Sequence, residues 1–162
     1  MENNSSTKHF FSALFFLLLV FVMQQVSSAF VEISIDPWYI ELKKPNINPP
    51  GWFFQIVWPI LYVIIALVGH TFWNQPKSRE RTLGLTFWAL QILFNTLWPF
   101  FFFSQKSPIL GFIDLLVVII FSLYVIYYGK KLRSSWIVYG FSAYVLWLIY
   151  AAIVNLSIIL LN

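Results

Sequence analysis

The chain has 162 residues, of which 60% are hydrophobic, 21% aromatic and only 10% charged, and its formal net charge is +4. A soluble domain carries about 25% charged residues, so this composition argues against a water-facing surface and indicates a membrane protein. Basic residues lie between the apolar runs and form no aromatic-interleaved patch, which argues against nucleic-acid binding. The absence of cysteine excludes disulfides, thiolate catalysis and Cys-ligated metals.

Five apolar stretches approach or reach the length that a helix needs to cross a bilayer, about 20 residues. They predict an all-α, polytopic membrane protein in which a single domain, 1–162, forms a five-helix bundle. Short connectors place consecutive later helices side by side and antiparallel. The connector 32–51 is long, and loops of this length are usually functional. The predicted spans are 10–31, 52–73, 83–103, 109–128 and 135–161.

The first span has two interpretations. Lys8, the apolar run 10–23 and the small residues 27–29 resemble a cleavable secretory signal, and a retained transmembrane helix is the alternative. With five spans, most Lys and Arg residues fall on the side of the N-terminus and of the second and fourth connectors. The positive-inside rule then puts the N-terminus inside and the long connector outside.

Three spans carry polar and aromatic residues along one helix face, at spacings of three or four residues. Lipid cannot satisfy an amide, so these faces are expected to point into the bundle. Bulky indoles prevent close helix approach and favour a ligand cavity, whereas hydrogen bonding between helices is the alternative, which we expect for Asn155. The three sets are Gln55, Trp58 and Tyr62; Gln91, Asn95 and Trp98; and Tyr144, Trp147, Ala151 and Asn155.

The remaining unusual residues favour structural roles. Asp114 in the fourth span is expected to pair with a Lys or Arg from a loop. His9 and His70 lack metal-ligand spacing and are expected at the membrane interface. Pro59 and Pro99 each follow a tryptophan inside a span, where a kink would widen the bundle. The sequence contains no Walker loop, GxSxG, HExxH or paired carboxylates, so it predicts neither a conventional enzyme site nor a metal site.

Segment 38–62 reads WYIELKKPNINPPGWFFQIVWPILY, which fits the pattern WYxxLxKPxxxPPxWxxxxVWxxLY. Further motifs are QxxxNxxW at 91–98, FF at 102–103, DLL at 114–116 and YxxWxxxAxxxN at 144–155. Together they resemble the translocator protein family, also called tryptophan-rich sensory proteins or peripheral benzodiazepine receptors. That family has five transmembrane helices, the first just before the WY pair, so the resemblance implies that the span 10–31 is retained.

The resemblance also implies that loop 32–51 folds as a lid over a pocket between the helices. Expected ligands are porphyrins such as protoporphyrin IX, and drugs of the benzodiazepine type, with no further cofactor required. Flat aromatic ligands stack on indoles, and an amide can orient a carbonyl or carboxylate. The implied pocket residues are Tyr39, Trp58, Asn95 and Trp147, with Tyr62, Gln91 and Trp98 as neighbours. The implied lid residues are Trp38, Lys44, Pro45, Pro49 and Pro50.

Three functions remain open at this point. The first is porphyrin binding for sensing, transport or scavenging, and the second is light- and oxygen-dependent porphyrin breakdown that uses Trp58 and Trp147. Lipid or sterol transport ranks last, because the tail after Asn155 lacks the tyrosine and basic residue of the animal cholesterol motif. A homodimer is implied by the family, although the small residues of the third span do not form a clean GxxxG. These are Thr82, Gly84, Thr86 and Ala89. A bacterial envelope membrane and the mitochondrial outer membrane both fit.

Overall fold

The computed structural model describes residues 2–34 and 37–162, and within them the side chains of 2–5 and 32–34 are left undescribed. Five long helices are apolar enough to cross a membrane, so the predicted five-span, all-α bundle is confirmed and the protein is a multi-pass integral membrane protein. The elements are α1 (Glu2–Ser34), α2 (Pro37–Glu41), α3 (Gly51–Trp73), α4 (Arg79–Pro99), a π-helical turn (Phe100–Ser104), α5 (Pro108–Lys131) and α6 (Ser135–Leu161).

Helix α4, which corresponds to the third predicted span, begins at Arg79 and so starts earlier than the predicted residue 83. Ser78 explains the difference, because its side-chain oxygen accepts a hydrogen bond from the Arg81 backbone N–H at 3.1 Å and satisfies a donor that a helix start otherwise leaves open. Ser107 starts α5 in the same way by accepting from Leu110 N–H at 3.2 Å, with Pro108 in the first turn. Local capping therefore extends the helices past their apolar cores.

The end of α4 departs from regular helix at Pro99. Proline has no N–H to donate, and the chain continues as the π-helical turn, in which Gln105 N–H reaches back five residues to the Phe100 carbonyl at 3.0 Å. The turn directs Phe102 and Phe103 into the bundle, where they are 2% and 7% exposed. Regular α-helix thus ends at Pro99, and the kinks that would widen the bundle stay a prediction.

The bundle has two distinct ends. At the end formed by the α3–α4 and α5–α6 connectors, which we name the basic end, the helices pack closely. A Cβ added to Gly69 would come within 2.6 Å of Phe16 of α1 and of Trp88 of α4, so only glycine fits there. The Trp88 indole N–H donates to the Ile65 carbonyl at 2.8 Å, which ties α4 to α3.

One expectation about a polar residue is wrong, and one histidine makes contacts that the sequence did not predict. Asp114 is 4% exposed, and neither carboxylate oxygen has a hydrogen-bond partner among the described residues, so the predicted pairing with a loop cation is wrong. His70 is not isolated, because its Nδ1 lies 3.0 Å from Ser12 Oγ of α1 and 3.1 Å from Asn74 Nδ2. The sequence distance between α1 and α3 hid this polar contact at the basic end.

Candidate ligand-binding cavity

A cavity of about 820 Å³ lies at the other end of the bundle, beneath residues 37–50, which we name the lid. Its walls come from α1, α3, α4, the π-helical turn and α6, with Leu115 from α5. Helix α1 contributes four residues of its C-terminal half: Gln24, Ser27, Ser28 and Val31. Ser27 lies within hydrogen-bonding reach of Tyr62 on α3, so the first span forms part of the wall.

The structure brings all but one of the predicted pocket residues to this cavity: Tyr39, Trp58, Tyr62, Asn95, Trp98 and Trp147. Gln91 is the exception. It lies one helical turn from Asn95, is fully buried and does not line the cavity. Its amide also has no hydrogen-bond partner in the described part of the chain.

Aromatic rings in the cavity wall form two groups. The Trp58 ring stacks on Tyr62, with centroids 5.2 Å apart and an angle of 28° between planes, because the two residues lie one turn apart on α3. Trp147 of α6 meets Trp58 edge to face at 6.3 Å and 86°. In the second group Trp98 stacks on Phe102 at 4.9 Å and 22°. The wall therefore offers flat π-faces to a flat ligand.

Several polar atoms in this wall are buried without a hydrogen-bond partner in the described residues: Asn95 Oδ1, Trp98 Nε1, Trp147 Nε1 and both amide atoms of Asn155. Only the other half of the Asn95 amide is engaged, since its Nδ2 donates to the Tyr144 hydroxyl at 3.0 Å. Buried polar groups in native proteins are almost always satisfied. The residues that line the cavity therefore hold two indole donors, one amide oxygen and one complete amide without a partner, a set suited to a polar ligand group or to bound water.

Asn155 is the cavity residue that sequence reasoning misjudged. It lines the cavity and is 2% exposed, and no other described residue accepts from or donates to its amide, so the expected bond between helices is wrong. Its position one turn beyond Ala151 on the Trp147 face was the available signal. Tyr150, Phe54 and Phe102 also line the cavity without having been singled out as pocket residues.

The lid rests on the π-helical turn through aromatic contacts. Tyr39 meets Phe103 at 5.1 Å and Trp38 meets Phe102 at 5.9 Å, both edge to face. Burial raises the pKa of Tyr39 above its ordinary value of 10.0, so its phenol stays neutral and keeps its proton at physiological pH. These contacts close one side of the cavity with a neutral aromatic surface.

Lys44 holds the lid in shape. Its Nζ donates to the Tyr39 carbonyl at 2.6 Å and to the Leu42 carbonyl at 3.2 Å, and it lies 4.4 Å from the centre of the Tyr39 ring. An ammonium at the end of α2 satisfies carbonyls that the short helix leaves open. Lys44, Pro49 and Pro50 line the cavity, whereas Trp38 and Pro45 do not.

The lid is also tied to α6, by contacts that no local sequence pattern signals. The amide of Asn162 pairs with the backbone of Lys43 in both directions, accepting from its N–H and donating to its carbonyl, each at 3.0 Å. The Tyr150 hydroxyl donates to the Ile47 carbonyl at 2.6 Å. These partners are 119 and 103 residues apart in sequence, so only the folded chain brings them together.

Comparison with known proteins agrees with this architecture. A profile of the TspO/MBR family matches residues 15–161. The chain is 29% identical over 149 residues to the tryptophan-rich protein TspO of Archaeoglobus fulgidus, covering 90% of this chain and 94% of the relative. It is 33% identical over 132 residues to protein CrtK of Rhodobacter capsulatus, covering 80% and 81%. The match to the translocator protein of Ovis aries is 32% identical over 82 residues and covers 49% and 48%. The chain therefore belongs to the TspO/MBR family.

Proposed function

We propose that this protein binds porphyrins, with protoporphyrin IX as the reference ligand, and benzodiazepine-type molecules in the cavity under the lid, and that it acts in tetrapyrrole sensing, transport or scavenging. Membership of the TspO/MBR family supports a membrane protein related to tetrapyrrole and benzodiazepine ligands in general. The observation that carries the proposal is the cavity itself. Its volume of about 820 Å³ lies towards the upper end of the range for ligand pockets, about 300–1,000 Å³, which suits a large, flat ligand.

The chemistry of the wall fits a flat, apolar ligand that carries acidic groups. A porphyrin plane would stack on the faces of Trp58 and Tyr62, which are large aromatic surfaces in a water-poor site. Its carboxylates or ring nitrogens would meet the unpartnered indole N–H groups of Trp98 and Trp147 and the amide of Asn155. Lys44 at the lid adds the one ammonium among the residues that line the cavity.

The test is a titration of the purified protein with protoporphyrin IX in darkness, followed by quenching of tryptophan fluorescence and by the porphyrin absorption bands. We expect saturable quenching for the wild type and an affinity about tenfold weaker for Trp147→Phe, which removes an unpartnered buried donor. Trp136→Phe is the matched control, since Trp136 lies at the basic end and is 46% exposed. Unsaturable quenching, or equal losses in both variants, would refute the proposal.

A second function has a specific observation in its favour, the edge-to-face contact of Trp58 with Trp147 at 6.3 Å. One of the two touching indoles could donate an electron to a light-excited porphyrin in the cavity. Dioxygen could then add to the reduced ring and break a carbon–carbon bond between two pyrroles, so that both oxygen atoms end in the opened ring and the electron returns to the indole radical. Illumination of the complex in air would then bleach the porphyrin bands, and a Trp58→Phe/Trp147→Phe variant, compared at equal occupancy, would bleach more slowly. Equal bleaching in wild type and variant would leave binding as the function.

A further inference from the structure

A surface recess of about 300 Å³ lies between the end of α5 and the start of α6, at the basic end and away from the cavity. It is lined by Lys130, Arg133, Ser134, Ser135, Val138 and Tyr139. The backbone of Arg133 adopts φ 54°, a left-handed conformation that tight turns use, so the two cations and the two serines share one short reversal of the chain.

The two basic side chains of the recess make no hydrogen bond, ion pair or cation–π contact within the described part of the chain, whereas two other cations at this end are engaged. Arg81 donates to the Phe72 and Trp73 carbonyls at 2.7–3.2 Å, and the Lys131 ammonium lies 5.4 Å from the centre of the Tyr127 ring. Lys130 and Arg133 are exposed. Their charges are therefore available to a ligand.

The lining lacks a carboxylate that could neutralise these charges. Of the acidic side chains that the structure describes, Asp114 is buried within α5 and Glu41 belongs to the lid, while Glu80 lies at the start of α4. None of the three lines the recess. The hydroxyl of Ser134 is also open, because it makes no cap hydrogen bond to α6. The recess thus combines two cations with two hydroxyls, a donor set suited to a phosphate group.

The position of the recess in the membrane indicates where that phosphate comes from. Tyr139, which lines the recess, is 74% exposed, and two further exposed aromatic residues lie close to it in sequence on α5 and α6, Tyr127 at 49% and Trp136 at 46%. Exposed Trp and Tyr residues at the end of a transmembrane helix lie at the level of the lipid headgroups. The phosphates available at this depth belong to phospholipids.

We propose that this recess binds the phosphate of an anionic phospholipid headgroup, with Lys130 and Arg133 contacting its oxygens and the two serine hydroxyls donating to them. Bidentate contact from the planar Arg133 guanidinium suits two phosphate oxygens, and Lys130 adds a point charge. Tyr139 would lie beside the glycerol of the lipid. The site is independent of the cavity, because the two share no lining residue and lie at opposite ends of the bundle.

The experiment is native mass spectrometry of the detergent-solubilised full chain, titrated with phosphatidylglycerol or with phosphatidylcholine. We expect the first phosphatidylglycerol to bind more tightly than phosphatidylcholine, and Lys130→Gln/Arg133→Gln to weaken it by about tenfold. The matched control is Lys77→Gln/Arg79→Gln, which removes two exposed cations from the same end but outside the recess. We expect the control to weaken binding by less than about threefold, as diffuse surface attraction would.

Three outcomes would overturn the proposal. Equal affinity for the two lipids would mean that net charge plays no part. Equal losses in the recess and control variants would mean a diffuse basic surface instead of a site. Complete displacement of phosphatidylglycerol by millimolar inorganic phosphate would mean a soluble-anion site. All exchanged residues are exposed, and unchanged helix content and melting temperature verify that the variants are folded.

Discussion

The two ends of the bundle use the same apolar composition in opposite ways. At the basic end small residues meet large ones, and a Cβ on Gly84 would come within 2.2 Å of the Phe72 ring. At the lid end large residues meet each other, and the indoles of Trp58, Trp98 and Trp147 surround a cavity of about 820 Å³. Close packing drives helix association in lipid, which is as apolar as the side chains. The contrast teaches that the closest helix packing and the candidate ligand cavity have separate locations in this fold.

The largest expected effect comes from a substitution in the closely packed basic end. Gly84→Ala forces a methyl group against Phe72, which is fully buried and cannot move aside, and we expect the free energy of unfolding to fall by about 1–3 kcal/mol. Gly51→Ala is the control, because a Cβ there meets nothing within 4 Å. Thermal unfolding in detergent measures both. If the two variants melt together, the basic end is not closely packed.

A matched pair of amide substitutions sharpens the comparison at the lid end. Asn155→Leu removes an amide that lines the cavity, whereas Gln91→Leu removes one that does not, and neither amide has a partner among the described residues. We expect about tenfold weaker protoporphyrin binding for the first and unchanged binding for the second. Neither change should lower the free energy of unfolding, since an unpartnered buried amide is costly. Equal affinities by fluorescence titration would place Asn155 outside the binding site.

A smaller effect concerns how the lid is held. Asn162→Ala and Tyr150→Phe each remove hydrogen bonds between α6 and the lid, and together we expect about fivefold faster ligand dissociation. Ser157→Ala serves as control, since that hydroxyl only donates to the Ile153 carbonyl in its own helix. Stopped-flow measurement of the protoporphyrin dissociation rate distinguishes the lid variants from the control. Identical rates in all variants would show that these bonds do not restrain the lid.

The smallest expected effect on binding comes from the outer face of α4. Thr82, Thr86 and Ala89 are exposed there, whereas Gly84 faces inward, so the first three form the small surface on which we expect a second copy to pack. Thr86→Leu should lower the cross-linked dimer fraction in native membranes and leave porphyrin affinity unchanged. Detection of monomer alone in the wild type would contradict the dimer.

The spans and most of the cavity wall could be predicted from the sequence for a simple reason. Span length and the 3.6-residue period are local properties, and they place Trp58 with Tyr62 and Asn95 with Trp98 on one face each. Whether a buried amide finds a partner depends on what stands opposite, and the expectation for Asn155 was wrong for that reason. The bond between Lys43 and Asn162 crosses 119 residues and leaves no local pattern. The π-helical turn after Pro99 likewise depends on which backbone hydrogen bonds form where proline has no N–H to donate.

The most direct test of the division between the two ends is the melting temperature of wild type, Gly84→Ala and Trp147→Phe, each with and without protoporphyrin IX. A ligand that binds only the folded state stabilises it by RT ln(1 + [L]/Kd), so at a fixed ligand concentration a weaker affinity gives a smaller rise in melting temperature. We expect Gly84→Ala to melt lower but keep the full ligand-induced shift, and Trp147→Phe to melt close to the wild type and lose most of it. If Trp147→Phe lowers the ligand-free melting temperature as much as Gly84→Ala, or keeps the full shift, stability and binding are not separated as described.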